Sequence, residues 1–224
     1  GEEVPSEEVP SEEVSELLTY TLSGDGTYYI ISDCDVSAYD VTIPSEYNGL
    51  PVKEIGEDAF LDCANLKSIN IPNSVTSIGS GAFSNCKNLT SVTLPEGLKR
   101  IDAYAFNESA IAQVVIPSTV TKIGKLAFAK CASLKNITIP ASVTDFDSAF
   151  YMSGLESVTL ASGIKTVSPK AFEGCVALTS VSIPTSVEKI GMGAFYGCKK
   201  ITSVVIPDSV TSIGGYAFHS CNEL

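Results

Sequence analysis

The stretch Leu66-Lys67-Ser68-Ile69-Asn70-Ile71-Pro72-Asn73-Ser74-Val75-Thr76-Ser77-Ile78-Gly79-Ser80-Gly81-Ala82-Phe83-Ser84-Asn85-Cys86-Lys87-Asn88 is one period of a repeat that fills most of the chain. Its Ala-Phe pair recurs at Phe60, Phe83, Phe106, Phe128, Phe150, Phe172, Phe195 and Phe218, with gaps of 23, 23, 22, 22, 22, 23 and 23 residues. A fixed period in the twenties means a supersecondary unit that cannot bury its apolar side alone and stacks on copies of itself. The sequence therefore predicts a solenoid of about eight coils.

Within each coil the apolar positions follow two patterns. Leu66, Ile69 and Ile71, with their equivalents up to Ile201, Val204 and Ile206, read as a strand buried on one face and closed by a proline that cannot donate to a ladder. A second, shorter β element carries Val75 and Ile78 and ends at a corner. Glycine follows it at Gly56, Gly79, Gly124, Gly191 and Gly214, which predicts a corner of unusual backbone angles. Alanine is the same in all eight copies, as a close backbone approach would require, and the phenylalanines are expected to stack from coil to coil. Three departures stand out. Ser109 and Ser153 replace cysteine beside a one-residue deletion, and the coil of Val143–Phe150 loses a residue at its corner.

The front of the chain differs. Residues 1–16 hold seven of the chain's glutamates and no Lys or Arg, with Glu-Glu-Val-Pro-Ser written twice. This segment is expected to be an acidic disordered linker, or a ligand motif for a receptor of acidic peptides. Residues 17–39 hold two β-rich runs around Ser23-Gly24-Asp25-Gly26, which predicts a hairpin capping the first coil. Asp25 lacks the alternating carboxylates of a calcium loop and reads as a turn residue. The solenoid then occupies 40–224, opening on an atypical coil with a second hairpin at Asn48-Gly49.

The motif Ile-x-Ile-Pro-x-Ser-Val-Thr-x-Ile-Gly-x-x-Ala-Phe-x-x-Cys, as in Ile69–Cys86, resembles the BspA-like (treponemal-type) class of leucine-rich repeats. The resemblance covers roughly residues 40–224. It implies a right-handed leucine-rich-repeat solenoid with β-strands on one face, short β or 3-10 turns on the other, and an N-terminal hairpin cap. It also implies a bacterial surface or secreted protein engaged in adhesion or host-protein binding.

Other chemistry finds little footing. Seven cysteines suggest disulfides or zinc, but six of them, Cys63, Cys86, Cys131, Cys175, Cys198 and Cys221, share one repeat position and read as free core thiols. Cys34 stands outside the repeat and is the candidate for a pairing or reactive thiol. The sole histidine, His219, occupies a variable, solvent-facing position, and the Gly-x-Gly pairs at 79–81 and 191–193 lack the rest of a phosphate loop. No cofactor, metal or catalytic centre is expected. A net charge of −12 offers no basic stripe for nucleic acid, and no apolar run approaches the ~18 residues that span a bilayer.

That leaves the outward side of the long strands. Lys67, Ser68, Asn70, Ser91, Thr93, Gln113, Lys135, Asn136, Thr138, Glu156, Thr159 and Ser182 form polar rows free of aromatics. They read either as a solvated sheet or as a protein-binding face, giving two functions: an extracellular binding and adhesion module, or a spacer that holds another domain away from the cell surface. The chain opens on Gly and shows no signal peptide, as a processed fragment would. Leu224 stands where a ninth strand would begin, so the last coil is expected to present an open edge capable of weak self-association.

Overall fold

A computed structural model describes residues 17–224. The acidic segment 1–16, and with it the expected linker, lies outside the described residues. The hairpin forms where the sequence places it: β1 (Leu18–Leu22) runs antiparallel to β2 (Tyr29–Cys34). In its turn Ser23 Oγ donates to Asp25 Oδ1 at 2.7 Å, and the Thr27 amide and hydroxyl donate to the same oxygen at 3.0 and 2.8 Å. These donors, Ser23 first, hold the Asp25 carboxyl below the usual carboxylate range.

After β3 (Asp40–Thr42) the second hairpin joins β4 (Glu46–Tyr47) to β5 (Leu50–Ile55). Asn48 and Gly49 both take positive φ, 48° and 77°, as a two-residue turn between twisted strands requires. The Tyr20 ring of β1 stacks on Tyr47 with centroids 3.8 Å apart, and Tyr29 meets Tyr47 edge-on at 5.0 Å. β2 pairs in parallel with β5 and so stands where a preceding coil's short strand would stand. The hairpin caps the stack by continuing it.

The remaining strands are β6 (Ser68–Asn70), β7 (Ser77–Ile78), β8 (Arg100–Ile101), β9 (Lys122–Ile123), β10 (Asn136–Ile139), β11 (Ser157–Leu160), β12 (Thr166–Val167), β13 (Ser180–Ser182), β14 (Lys189–Ile190) and β15 (Ser212–Ile213). Turns, rather than 3-10 helix, make up most of each coil between them. The short strands stack in parallel as β2-β5-β7-β8-β9 and again as β12-β14-β15. The break falls at the coil that lacks a residue. There Phe146 replaces the usual Ile, packs 6.2 Å from Phe172, and its amide donates to Ser168 Oγ at 3.1 Å in place of a backbone partner.

The long strands lie on one face but do not make one continuous sheet. β3 pairs with β6, and β10 with β11 and β13, while the strand segments of the two coils between are joined only by a bridge from Ser91 to Gln113. Coils held together elsewhere can let these strands splay.

What holds them is a ladder the sequence did not announce. Each phenylalanine amide donates to the alanine carbonyl of the next coil, from Phe60 to Ala82 through Phe195 to Ala217, at 2.7–3.0 Å. Unlike either strand stack, this ladder runs unbroken through all eight coils. The rings stack alongside it, with centroids 4.9–5.6 Å apart and planes within 18°. Seven of these rings, Phe60 to Phe195, have no solvent exposure. Two residues before and two after each Phe the backbone turns left-handed, at Tyr104 and Glu108 around Phe106, for example, with φ 58° and 57°. Most of these positions are not glycine, so the stacking bonds offset roughly 1–2 kcal/mol of steric cost at each.

The corner glycines have a different reason from the one the sequence suggested. Gly56, Gly79, Gly124, Gly191 and Gly214 do not take positive φ. A Cβ on Gly79 would instead stand 2.6 Å from the Gly56 carbonyl carbon and 2.7 Å from the Glu57 nitrogen of the coil before. Glycine is required there for the close approach of two backbones.

Candidate functional surface

All twelve strand-side residues singled out from the sequence are exposed, and they alternate with buried neighbours such as Ile69, Val92, Ile137, Val158 and Val181. The parallel register lines them up. Asn136, Ser157 and Ser180 form one row across β10, β11 and β13, and Thr138, Thr159 and Ser182 form the next. Some neighbours pair across coils: Ser157 Oγ donates to Asn136 Oδ1 at 2.6 Å, Ser68 Oγ to Asp40 Oδ1 at 2.5 Å, and Lys135 Nζ sits 3.2 Å from Glu156 Oε1. Lys67 lies over the Tyr39 ring at 5.4 Å, and hydrogen bonding to Tyr39 raises its pKa. The face is thus close to neutral, with short side chains.

Its relief centres on Val115. This side chain is 82% exposed and stands where the other coils carry Asn, Thr or Ser, the last coil's Val205 excepted. Two open depressions of about 280 and 220 Å³ flank it, one lined by Ser91, Thr93 and Gln113, the other by Asn136, Thr138 and Thr159. They exist because the strands on either side of 112–116 splay. Six of the twelve sequence-selected residues lie in β6, β10, β11 or β13, whereas Ser91, Thr93 and Gln113 sit at this gap, and Lys67, Lys135 and Glu156 precede their strands. Val115 shares this face with the twelve, and a pattern of polar rows does not announce it.

On the Ala-Phe side, two tyrosines gather around His219. Tyr196 stacks on His219 at 5.3 Å, Tyr216 meets His219 edge-on at 5.6 Å, and with Met192, Lys170 and Glu173 they line a shallow depression of about 400 Å³. Lys170 and Glu173 pair at 3.5 Å across its floor. Among the described residues no three His, Cys, Asp or Glu side chains converge as a metal site would need, and no helix is long and apolar enough to cross a membrane.

The seven thiols are unpaired, and six are buried, with Cys221 half-buried. Five of the repeat thiols donate to the phenylalanine carbonyl of the preceding coil: Cys86 to Phe60, Cys131 to Phe106, Cys175 to Phe150, Cys198 to Phe172 and Cys221 to Phe195, at 3.0–3.2 Å. Where serine replaces cysteine, Ser109 and Ser153 lie 3.5 and 3.3 Å from the thiols of Cys131 and Cys175. Burial pushes Cys131 and Cys175 up to about 11.

These features match known proteins closely. The family described as the BspA type leucine rich repeat region matches in six copies, over residues 53–176 and 146–224. The leucine-rich repeat protein of T. pallidum is 30% identical, with a TM-score of 0.72 over 97% of this chain and 91% of its own. A leucine-rich cell surface protein of Faecalibacterium prausnitzii is 28% identical with a TM-score of 0.56, and this chain, 99% covered, spans 54% of it. The pneumococcal vaccine antigen PcpA, at 19% identity and a TM-score of 0.51 over 88% of this chain and 76% of its own, shares the fold alone. No curated protein matches the sequence. From the Ala-Phe period to the strand-proline element, the chain belongs to the BspA-type leucine-rich repeat family.

Proposed function

We propose that this chain is a non-enzymatic protein-binding module, displayed at or beyond a bacterial cell surface, whose partner sits on the strand face around Val115. The observation that carries the reading is Val115 itself: a β-branched apolar side chain, 82% exposed, between two depressions rimmed by short polar groups. An apolar anchor inside a polar rim is the usual anatomy of an interface centre. The described cell-surface location of the F. prausnitzii relative supports the extracellular placement. The test uses purified extracellular-matrix glycoproteins as probes against immobilised chain. Binding weakened at least ~10-fold by Val115→Arg, with an unchanged melting curve, is the expected result. Equal binding by wild type and variant removes this face from the function.

The spacer reading draws on the other side of the coil. Thr76, Thr121, Thr144 and Thr211 all turn their hydroxyls onto backbone carbonyls of the preceding coil, at 3.2–3.5 Å. Hydroxyls used to bind coil to coil serve length and stiffness, so a chain that binds none of the probes is read as a spacer. The open end of the last coil adds self-association to the proposal.

A further inference from the structure

The thiol pattern has one exception. Cys63, in the first coil, has no preceding phenylalanine, because the cap turns away at Cys34–Ala38 before an Ala-Phe turn could form. It donates to no carbonyl as the other five repeat thiols do. The space is filled by Cys34, at the end of β2, whose own thiol reaches only the Asp35 carbonyl, at 3.6 Å. Two residues on from each cysteine, Asn65 Nδ2 donates to the Val36 carbonyl at 3.5 Å, which sets the segments carrying Cys34 and Cys63 side by side, and both side chains are buried there, 5% and 1% exposed.

We infer that Cys34 and Cys63 are a disulfide site, oxidised when the chain meets a disulfide-bearing oxidant and tying the capping hairpin to the first coil. The other thiols are held away from this chemistry. Cys175, Cys198 and Cys221 neighbour one another along the stack, yet each points to a carbonyl of the coil before it. Only at the front do two buried cysteines sit on neighbouring segments without a phenylalanine carbonyl of a preceding coil to accept from them.

The step balances as thiol–disulfide exchange. One cysteine thiolate attacks the external disulfide, displacing one thiol and forming a mixed disulfide. The second thiolate attacks the protein sulfur of that bond, displacing the other thiol. The chain loses two hydrogens and two electrons, and the oxidant becomes two thiols. The neighbouring Cys63 first, and burial second, raise the Cys34 pKa and keep its thiol protonated, so the exchange proceeds when the hairpin opens or before it closes. The bond would close a loop of roughly 30 residues across the least repetitive part of the fold, where a constraint on the unfolded chain stabilises most usefully.

The test compares the full chain before and after incubation with oxidised glutathione, in 2 M urea to permit opening of the cap. The expected product is about 2 Da lighter by intact mass, and its tryptic map links the peptides of Cys34 and Cys63. Its melting temperature, back in native buffer, stands about 5 °C or more above that of the same sample after reduction. Cys34→Ala abolishes the mass loss, and Cys198→Ala does not. A link mapped to Cys175–Cys198, a mass loss that survives Cys34→Ala, or seven alkylatable thiols after oxidation each overturns the assignment. The wild-type map alone decides the case if a variant fails to fold.

Discussion

The amide of Phe128 donates to the carbonyl oxygen of Ala149, one coil further on, at 2.8 Å. The same bond recurs at every junction, and it lies beside the ring stack, where Phe128 stands 5.1 Å from Phe106 and 5.5 Å from Phe150. Main-chain pairing and aromatic packing therefore reinforce each other along a single line. The strand stacks on the other two sides are interrupted, and this line is not.

Phe128→Ala should accordingly destabilise by about 3–5 kcal/mol, the range for emptying a fully buried aromatic site. Its ring is wholly enclosed in the middle of the stack. Equilibrium denaturation in urea is the measurement. A loss below about 1 kcal/mol would show that the stack is not what holds the coils together.

The left-handed positions give a test of opposite sign. Tyr104 has φ 58° and is largely exposed, so its side chain contributes little packing. Comparing Tyr104→Gly with Tyr104→Ala isolates the backbone. In ordinary coil or helix, glycine is the less stable of the two by about 0.5–1 kcal/mol. Here it should be the more stable by a similar amount. At Gly79 glycine is again the more stable, for a different reason: Gly79→Ala drives a Cβ into the Gly56 carbonyl and should cost about 1–3 kcal/mol. Both sets of melting curves need only the purified chain.

Those two positions show where the sequence stops being readable. Ile69, Ile78 and Phe83 announce themselves by period, because burial on a stacked coil demands the same residue type each time. The left-handed turns at Asp62, Lys130 and Met152 do not, because stacking bonds to the next coil impose the conformation whatever the side chain. Gly79 was visible but its cause was not: contact with the preceding backbone is a tertiary fact, and a glycine alone cannot distinguish it from a turn. The exposed rows from Ser68 to Ser182 were legible from strand alternation. Val115 as their centre was not, since it depends on a gap that opens where the strand pairing fails.

The buried thiols predict a pH dependence. Burial raises Cys131 to about 11 from an unfolded value near 9. A raised value means that the folded state keeps the proton more tightly than the unfolded one. The stabilisation is complete below about pH 8.5 and is lost as pH climbs toward the folded value. Cys131→Ala, which costs about 1–2 kcal/mol at pH 7 through lost packing, should therefore match wild type by roughly pH 10.5. Tyrosine and lysine titration affects both proteins alike and cancels in the difference. A gap that stays constant from pH 7 to 10.5 would mean the thiol is not held protonated. Under reducing native conditions the same burial predicts that Cys221, half-buried, alkylates before Cys86, Cys131, Cys175 and Cys198.

The last coil makes the final prediction. Its neighbour in the stack shields only one side, so Ile206 is 37% exposed, Ile213 50% and Leu224 53%. Equivalent residues in earlier coils, such as Ile78 and Ile190, are buried. The segment 202–206 forms no strand, leaving main-chain donors and acceptors beside the apolar side chains. A surface that offers both is a template for another chain. The 224-residue polypeptide should self-associate weakly through this end, with an apparent mass that rises with concentration in light scattering. Appending one further coil with a polar outer face should return it to monomer, whereas Leu22→Glu on the capping hairpin at the other end should not. If the unmodified chain remains monomeric across a wide concentration range and binds no hydrophobic dye, the open end is not an association site.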